Sequence, residues 1–464
     1  MLPPGIQTTF NTKIFVWFVV LILLSIFLGT IIGVYGLVVF VAFIIILLAI
    51  TMILLSIFFE QFPIYLLVAS LPLAELLRIQ NLPSTLLIVP GGLAIVSLIS
   101  SLMLRKNKVI VFSPIMIPAL LLGIWAVIVA VKYANIGEVR PYLLVVLLIF
   151  LIPNLLKTER HLLAVSWLWV ISLGVAGLYV FLDRLIFYLQ GEAINAEVLH
   201  AVVIRLGDKN VVGMWLSMGL PFVISLISLY KNQPHKRFWL LFFGTFMIIG
   251  ALSTISIGVF LGLLIVVVLM ILLHPNKRVQ LGYLLVITLL ITVGFIGPIG
   301  DRLRSQRLLT LDDSWGTYRV ALWKAGFNTL LDNPLFGVGL DVTRRIQAMT
   351  KYLNVPFLQY WITRGVLIAP HNNLLSVGVE LGLPGLLLYT LFIITLLYVL
   401  LAIRRMSMKL SKSNITLYSN IFFISLTTGL IQGLALSEHL SKQIWFLGGC
   451  TIALYLISKN KTNV

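Results

Sequence analysis

Cysteine is almost missing: Cys450 stands alone among 464 residues, which rules out an intrachain disulfide and a thiolate metal cage. Charge is scarce too, at 10% Asp, Glu, Lys and Arg, where a soluble domain carries about 25%. Acids are scarcer still, 15 against 33 Lys and Arg. There is no GxxxxGK[ST] loop to cradle a nucleotide, no GxSxG elbow to present a serine, and no His or Cys spacing that suits zinc. These absences set aside a nucleotide-driven engine, a serine acyltransferase and a zinc enzyme, and no cofactor is implied. No internal repeat or low-complexity segment stands out.

What remains is apolar helix. With 60% hydrophobic residues and a mean hydropathy of +1.09, the chain recurs in apolar runs of a length that crosses a bilayer. A run of roughly 20 such residues spans a hydrocarbon core about 30 Å thick with its backbone hydrogen bonds closed internally. Alternating strands of a barrel are not seen. The expected fold is therefore all-α: a polytopic membrane bundle of 12 to 14 spans with one large extracytoplasmic loop containing an amphipathic helix. The spans fall near 14–32, 37–58, 62–80, 85–103, 109–131, 141–156, 162–182, 210–229, 238–254, 257–273, 279–299, 374–402, 415–436 and 443–458. The third is interrupted by Pro63, Pro72, Glu75 and Arg78, and the pair flanking Ser253 to Gly258 could be one broken helix. In organisation this is a bundle over 1–299, a catalytic loop over 300–371 and C-terminal spans over 372–464. Residues Lys13 to Ile32 resemble a signal peptide, but the run is long, lacks a small-residue cleavage site and reads as a retained first helix.

The net charge of +18 lies in short clusters between spans rather than along one face, so it reads as topogenic and not as a nucleic-acid footprint. Lys13, Arg105 to Lys108, Lys157 with Arg160, Lys231 with Lys236 and Arg237, Lys277 with Arg278, Arg404 with Arg405, and Lys459 with Lys461 share one side in a fourteen-span count. That side is expected to be the cytoplasm, with both termini there and the protein in a bacterial inner membrane. The loop from Asp301 to Pro370 then faces outside. It holds nine Lys and Arg against five Asp, an excess that topology does not require, since loops beyond about 60 residues cross largely regardless of charge.

Within that loop Val320, Trp323, Phe327 and Leu330 or Leu331 recur at helical spacing until Asp332-Asn333-Pro334 stops the pattern, which predicts an amphipathic helix at the membrane surface. Gly337 and Gly339 follow, suited to a turn that either packs closely or aims amides at a ligand. Arg319 lies one turn before Trp323; its fork of donors suits a diphosphate, and equally a lipid headgroup or Asp313. His371, between Pro370 and Asn372-Asn373, is either a base for a hydroxyl or part of a helix cap. Glu380 lies inside the following span, where a carboxylate is costly and reads as functional or as the partner of a nearby Arg. Asp312-Asp313 is more readily a solvated pair than a metal site. No metal is expected.

Taken together, Tyr318-Arg319, Trp323, Asp332-Asn333-Pro334-Leu335-Phe336-Gly337-Val338-Gly339, Pro370-His371-Asn372-Asn373 and Glu380-Leu381-Gly382-Leu383-Pro384-Gly385 resemble the signature of the O-antigen ligase and polymerase superfamily. The resemblance implies a GT-C type glycosyltransferase that takes a polyprenyl-diphosphate-linked glycan at the outer face of the inner membrane, without a metal. It implies Arg319 as a diphosphate ligand and His371 as the base near the acceptor hydroxyl. Arg344, Arg345, Asn372, Gly337, Gly339 and Glu380 join them as expected substrate-binding residues. One departure is plain: where many ligases carry S-R-G, this chain reads Ser256-Ile257-Gly258. The cation absent at Ile257 is expected from Arg205 to Asn210, with Arg205 first and Lys209 and Asn210 beside it, unless this branch handles its donor differently. Expected partners are the lipid-linked donor, an acceptor glycan or lipid, the membrane, a flippase and a chain-length regulator. A secondary transporter of an anionic solute and a non-catalytic assembly component are the alternatives.

Overall fold

A computed structural model describes residues 46–78, 85–104, 110–189, 209–254, 256–273, 315–353, 369–410, 413–437 and 439–462, with scattered positions between 280 and 292. The expected span at 14–32, most of the span at 279–299, Arg205 and the Asp312-Asp313 pair lie outside the described residues. Among those described, the secondary structure is helical and no strand occurs.

The helices are α1 (Ile46–Phe58), α2 (Phe62–Arg78), α3 (Thr85–Leu104), α4 (Ile117–Lys132), α5 (Arg140–Leu155), α6 (Glu159–Leu189) and α7 (Lys209–Leu229). They continue with α8 (Pro234–Ser253), α9 (Ile257–Leu273), α10 (Trp315–Asp332), α11 (Val342–Thr350), α12 (Asn373–Lys409), α13 (Ser413–Gly433) and α14 (Lys442–Thr462). Among the described residues seven helices are long and apolar enough to cross a membrane, and four shorter apolar ones accompany them. Helices α8 and α9 form separately on either side of Thr254 to Ser256.

Two kinds of surface explain the packing. Exposed Leu383, Leu387, Leu391, Ile394 and Tyr398 follow one stripe of α12, and Leu121, Ile124, Ile128 and Val131 do so on α4. Such stripes are apolar faces for lipid rather than water. The buried faces meet through aromatic stacking, with Trp169 on Phe446 at 5.2 Å and Trp445 on Phe392 at 4.9 Å, joining α6, α12 and α14. Small residues bring helices closer still. A methyl on Gly250 of α8 would lie 2.6 Å from the Gly177 backbone of α6, the close approach that small residues permit where lipid gives no hydrophobic drive.

The segment of α10 and α11 has a small core of its own. Leu322 and Ala325 of α10 pack with Met349 of α11 and with Leu353, and Tyr352 donates a hydrogen bond to Asp332 that ties the two helix ends together. Helix α10 then rests on the start of α12, where Gly326 meets Pro370 and Gly378 meets Leu330. A helix forms over the expected residues and ends at Asp332, with its apolar residues divided between a packed side and an exposed one. Leu322, Ala325 and Leu330 are buried, whereas Val320, Phe327 and Leu331 are 54%, 51% and 59% exposed. The reason is that α10 is clamped between α11 and α12, so its packed side is set by those neighbours and not by the longest run of large apolar residues.

Candidate functional site

Helix α12 is interrupted at Gly382, whose φ of 71° and ψ of −170° are not helical. The break disrupts the helix's own hydrogen bonds. Pro384 has no N–H to give to Glu380, and the Leu383 amide turns away to the carbonyl of Pro334 at 2.7 Å. The orphaned carbonyls find other donors. Val379 accepts from the Val338 amide at 2.8 Å, Glu380 from the Gly339 amide at 3.2 Å, and Leu381 from the Trp125 indole at 2.8 Å. The N-P-x-x-G-x-G turn and the E-x-G-x-P-G kink are thus two sides of one backbone joint.

Glycine is required on both sides. A Cβ on Gly337, where φ is 61°, would sit 2.4 Å from the Val379 oxygen, and one on Gly382 would sit 2.5 Å from the Leu335 oxygen. Tyr133 closes the turn from the other side by donating to the Gly337 carbonyl at 2.7 Å. The amides of Gly337 and Gly339 are given to the carbonyls of Asn333 and Glu380, so close packing is the role their geometry carries.

Beneath the joint lies a buried polar cluster. Glu380, 4% exposed, pairs with Nη1 of Arg345, accepts from the Tyr142 hydroxyl at 2.7 Å and faces Nε2 of His439 at 3.1 Å. His439, 5% exposed, also meets the Tyr142 oxygen at 3.0 Å. Arg345 was expected at the substrate; the structure gives its guanidinium a carboxylate partner, the second of the two readings of Glu380. Tyr142 and His439 were not picked out from the sequence. One sign was legible for His439, a titratable side chain in the short stretch between the last two apolar runs. Arg344 lies on the exposed side of α11, its guanidinium carbon 5.1 Å from the Tyr133 ring centre, and Lys132 lies 3.5 Å over Phe336.

His371 stands directly before this half-helix, with a left-handed φ of 48° that non-glycine residues adopt at a cost. Its carbonyl accepts from the Trp323 indole at 3.3 Å. Half-buried Arg319 is one turn from Trp323 on α10, so the packing of α10 onto α12 brings Arg319 and His371 into one region. Asn372 is the cap of α12. Its oxygen accepts from the amides of Leu374 and Leu375 at 3.0 and 3.1 Å, and its amide donates to the Leu434 carbonyl at 3.2 Å.

The residues around Ile257 reach the same end of the bundle. Asn210, in the first turn of α7, accepts from the Ser256 hydroxyl at 2.6 Å, immediately before Ile257. Gln432 at the end of α13 donates to the Gly258 carbonyl and accepts from Ser217, both at 3.0 Å. The last turn of α13 therefore bridges the Ile257 segment, through Gln432, to the His371 segment, through Leu434. Lys209 is the first residue of α7, and its side chain lies outside those described. Among the described residues no group of His, Cys, Asp and Glu could hold a metal ion.

Residues 239–390 match the family model described as O-Antigen ligase. That stretch is similar to an O-antigen ligase domain. The match supports membership of the O-antigen ligase and polymerase family, as the motifs implied, and with the apolar spans it points to a membrane protein of a glycosyltransferase-like class. No curated protein matches the chain. The matched stretch takes in α10, the glycine turn, His371 and the Gly382 kink; Tyr142, Asn210 and His439, which complete the surroundings, lie beyond it.

Proposed function

We propose that this protein transfers a glycan from a polyprenyl-diphosphate carrier to an acceptor sugar hydroxyl at the outer face of the inner membrane, with inversion and without a metal. The observation that supports the reading is the seating of α10 on the start of α12, which puts Arg319 one helical turn from the indole that holds the His371 backbone. The acceptor oxygen attacks the anomeric carbon, the bond from that carbon to the diphosphate oxygen breaks, and its electron pair leaves with the diphosphate. His371 takes the hydroxyl proton, and Arg319 stabilises the departing charge. Diphosphate is a good leaving group, so positioning and charge supply most of what the reaction needs.

The second cation in this scheme comes from Arg205 or Lys209, which precede Asn210 in the sequence; Asn210 itself is bonded to Ser256, beside Ile257. Arg344, exposed on α11 beside the Tyr133 ring, is a further cation available to the scheme. The absence of the S-R-G arginine inclines the reading toward a polymerase or an unusual transferase over a ligase: a ladder growing on the lipid carrier favours the first, and a shift of an acceptor lipid favours a ligase. A flippase that delivers the donor and a chain-length regulator are its natural partners.

A broken helix such as α12 is also a device of secondary transporters. Counterflow of a labelled anion in liposomes without any glycan acceptor favours that alternative, and unchanged glycan products after substitutions in the loop favour an assembly component. The deciding assay is glycan transfer by Arg319→Ala and His371→Ala. Each is expected to lose about 100-fold or more in rate; near-normal transfer by both overturns the proposal.

A further inference from the structure

Four elements distant in sequence meet at one carboxylate. Glu380 of α12 receives Arg345 from α11 and Tyr142 from α5, and faces His439 from the connection between α13 and α14. The proton positions follow from the inventory of donors. Tyr142 has one hydroxyl proton and gives it to Oε2 of Glu380, and an ionised carboxylate can only accept. Nε2 of His439, within 3.1 Å of that carboxylate oxygen and 3.0 Å of the Tyr142 oxygen, must therefore carry a hydrogen and donate to both. The cluster sets the buried carboxylate against the Arg345 guanidinium.

Its position matters more than its strength. Glu380 lies on the half-helix that begins at Asn373 and ends at the Gly382 kink, and that half-helix carries His371 directly before its cap. The backbone of the same residue accepts the Gly339 amide of the glycine turn. Arg345 belongs to α11, which shares a small core with α10, the helix of Arg319. Glu380 thereby fixes by its side chain and its main chain the two pieces that bear the proposed reacting groups, while itself being buried beneath them.

We infer that Glu380 is a positioning residue for glycan transfer: its carboxylate clamps α11 and the α13–α14 connection onto the half-helix that carries His371. The inference rests on the transfer reading above. Glu380→Gln keeps the shape and the bond to Tyr142 but leaves Arg345 a buried cation without its counter-charge, whereas Arg345→Gln together with Glu380→Gln removes the orphan as well.

The test uses the full-length protein in nanodiscs with a lipid-linked donor, comparing wild type, both single variants, the double variant and Tyr142→Phe. In folded Glu380→Gln, kcat is expected to fall about tenfold or more with the donor KM within about twofold, and the double variant, which lacks the pair altogether, is expected to fall about as far as the worse single variant and not by the product of the two. Trypsin cleavage at Arg344, Arg345 or Lys351 is expected to accelerate in Glu380→Gln, and Tyr142→Phe is expected to lower kcat by a smaller factor. A folded Glu380→Gln enzyme with wild-type kcat overturns the inference, as does a double variant with wild-type kcat. If Glu380→Gln does not fold, the double variant and Tyr142→Phe decide in the same way. An inactive wild type defeats the transfer reading instead, while the cleavage pattern still reports on the clamp.

Discussion

At Gly382 a single hydrogen atom in place of a side chain allows two loops of backbone to touch. Gly382→Ala has to accommodate both a left-handed φ and a carbonyl 2.5 Å from the new methyl, and is expected to cost about 1–3 kcal/mol. Thermal unfolding in detergent checks this through a lowered midpoint. His371 offers a contrasting case, since its own φ of 48° is strained in the opposite sense of usefulness: glycine would adopt it freely. His371→Gly is expected to leave the unfolding midpoint unchanged or slightly raised, by about 0.5–1 kcal/mol at most, while abolishing transfer. A fall in both would show that the imidazole serves the fold as much as the reaction.

Among the elements, α11 is held at three points: the Arg345 pair, the Tyr352 to Asp332 bond that follows it, and the Asp341 cap, which accepts the Thr343 amide at 2.7 Å. The hydrogen bond from the Thr343 amide holds the Asp341 carboxyl below the usual carboxylate range. Because the folded-state pKa is lowered, the cap's contribution is fully present above the unfolded value of about 3.9 and is lost as pH falls through the folded one. Asp341→Ala is expected to cost the helix about 1 kcal/mol near neutral pH, read as faster hydrogen exchange over 342–350, and Asp341→Asn to cost much less. The end of α10 is legible in the sequence because Asp332-Asn333-Pro334 is a strong stop, whereas an arginine partner for Glu380 is only one of two readings there and Arg345 is not singled out for it. The packed face of α10 is not legible, because neighbours from elsewhere in the chain decide it. Nor is the part played by Tyr142, an ordinary aromatic in an apolar run until the fold brings Glu380 from 238 positions away.

At the scale of the molecule, the apolar runs marked the helices because run length is what a bilayer selects, and the described helices begin and end close to the runs. The kink in α12 was hidden inside one of those runs, visible only as Gly-x-Pro. Topology has a direct check, since Cys450 is buried and gives little background. With Lys324→Cys and Arg405→Cys, both at exposed positions, a membrane-impermeant maleimide is expected to label the first in intact cells and the second only after lysis. The reverse pattern would put α10 and α11 in the cytoplasm, away from the proposed donor. The most direct test of the whole account is made on the purified protein with a labelled lipid-linked glycan, an acceptor and a chelator. The account expects one free polyprenyl diphosphate for every new glycosidic bond, at a rate that chelation leaves unchanged. A wild-type protein that forms no glycosidic bond, or one that releases diphosphate only when a metal is restored, would contradict it.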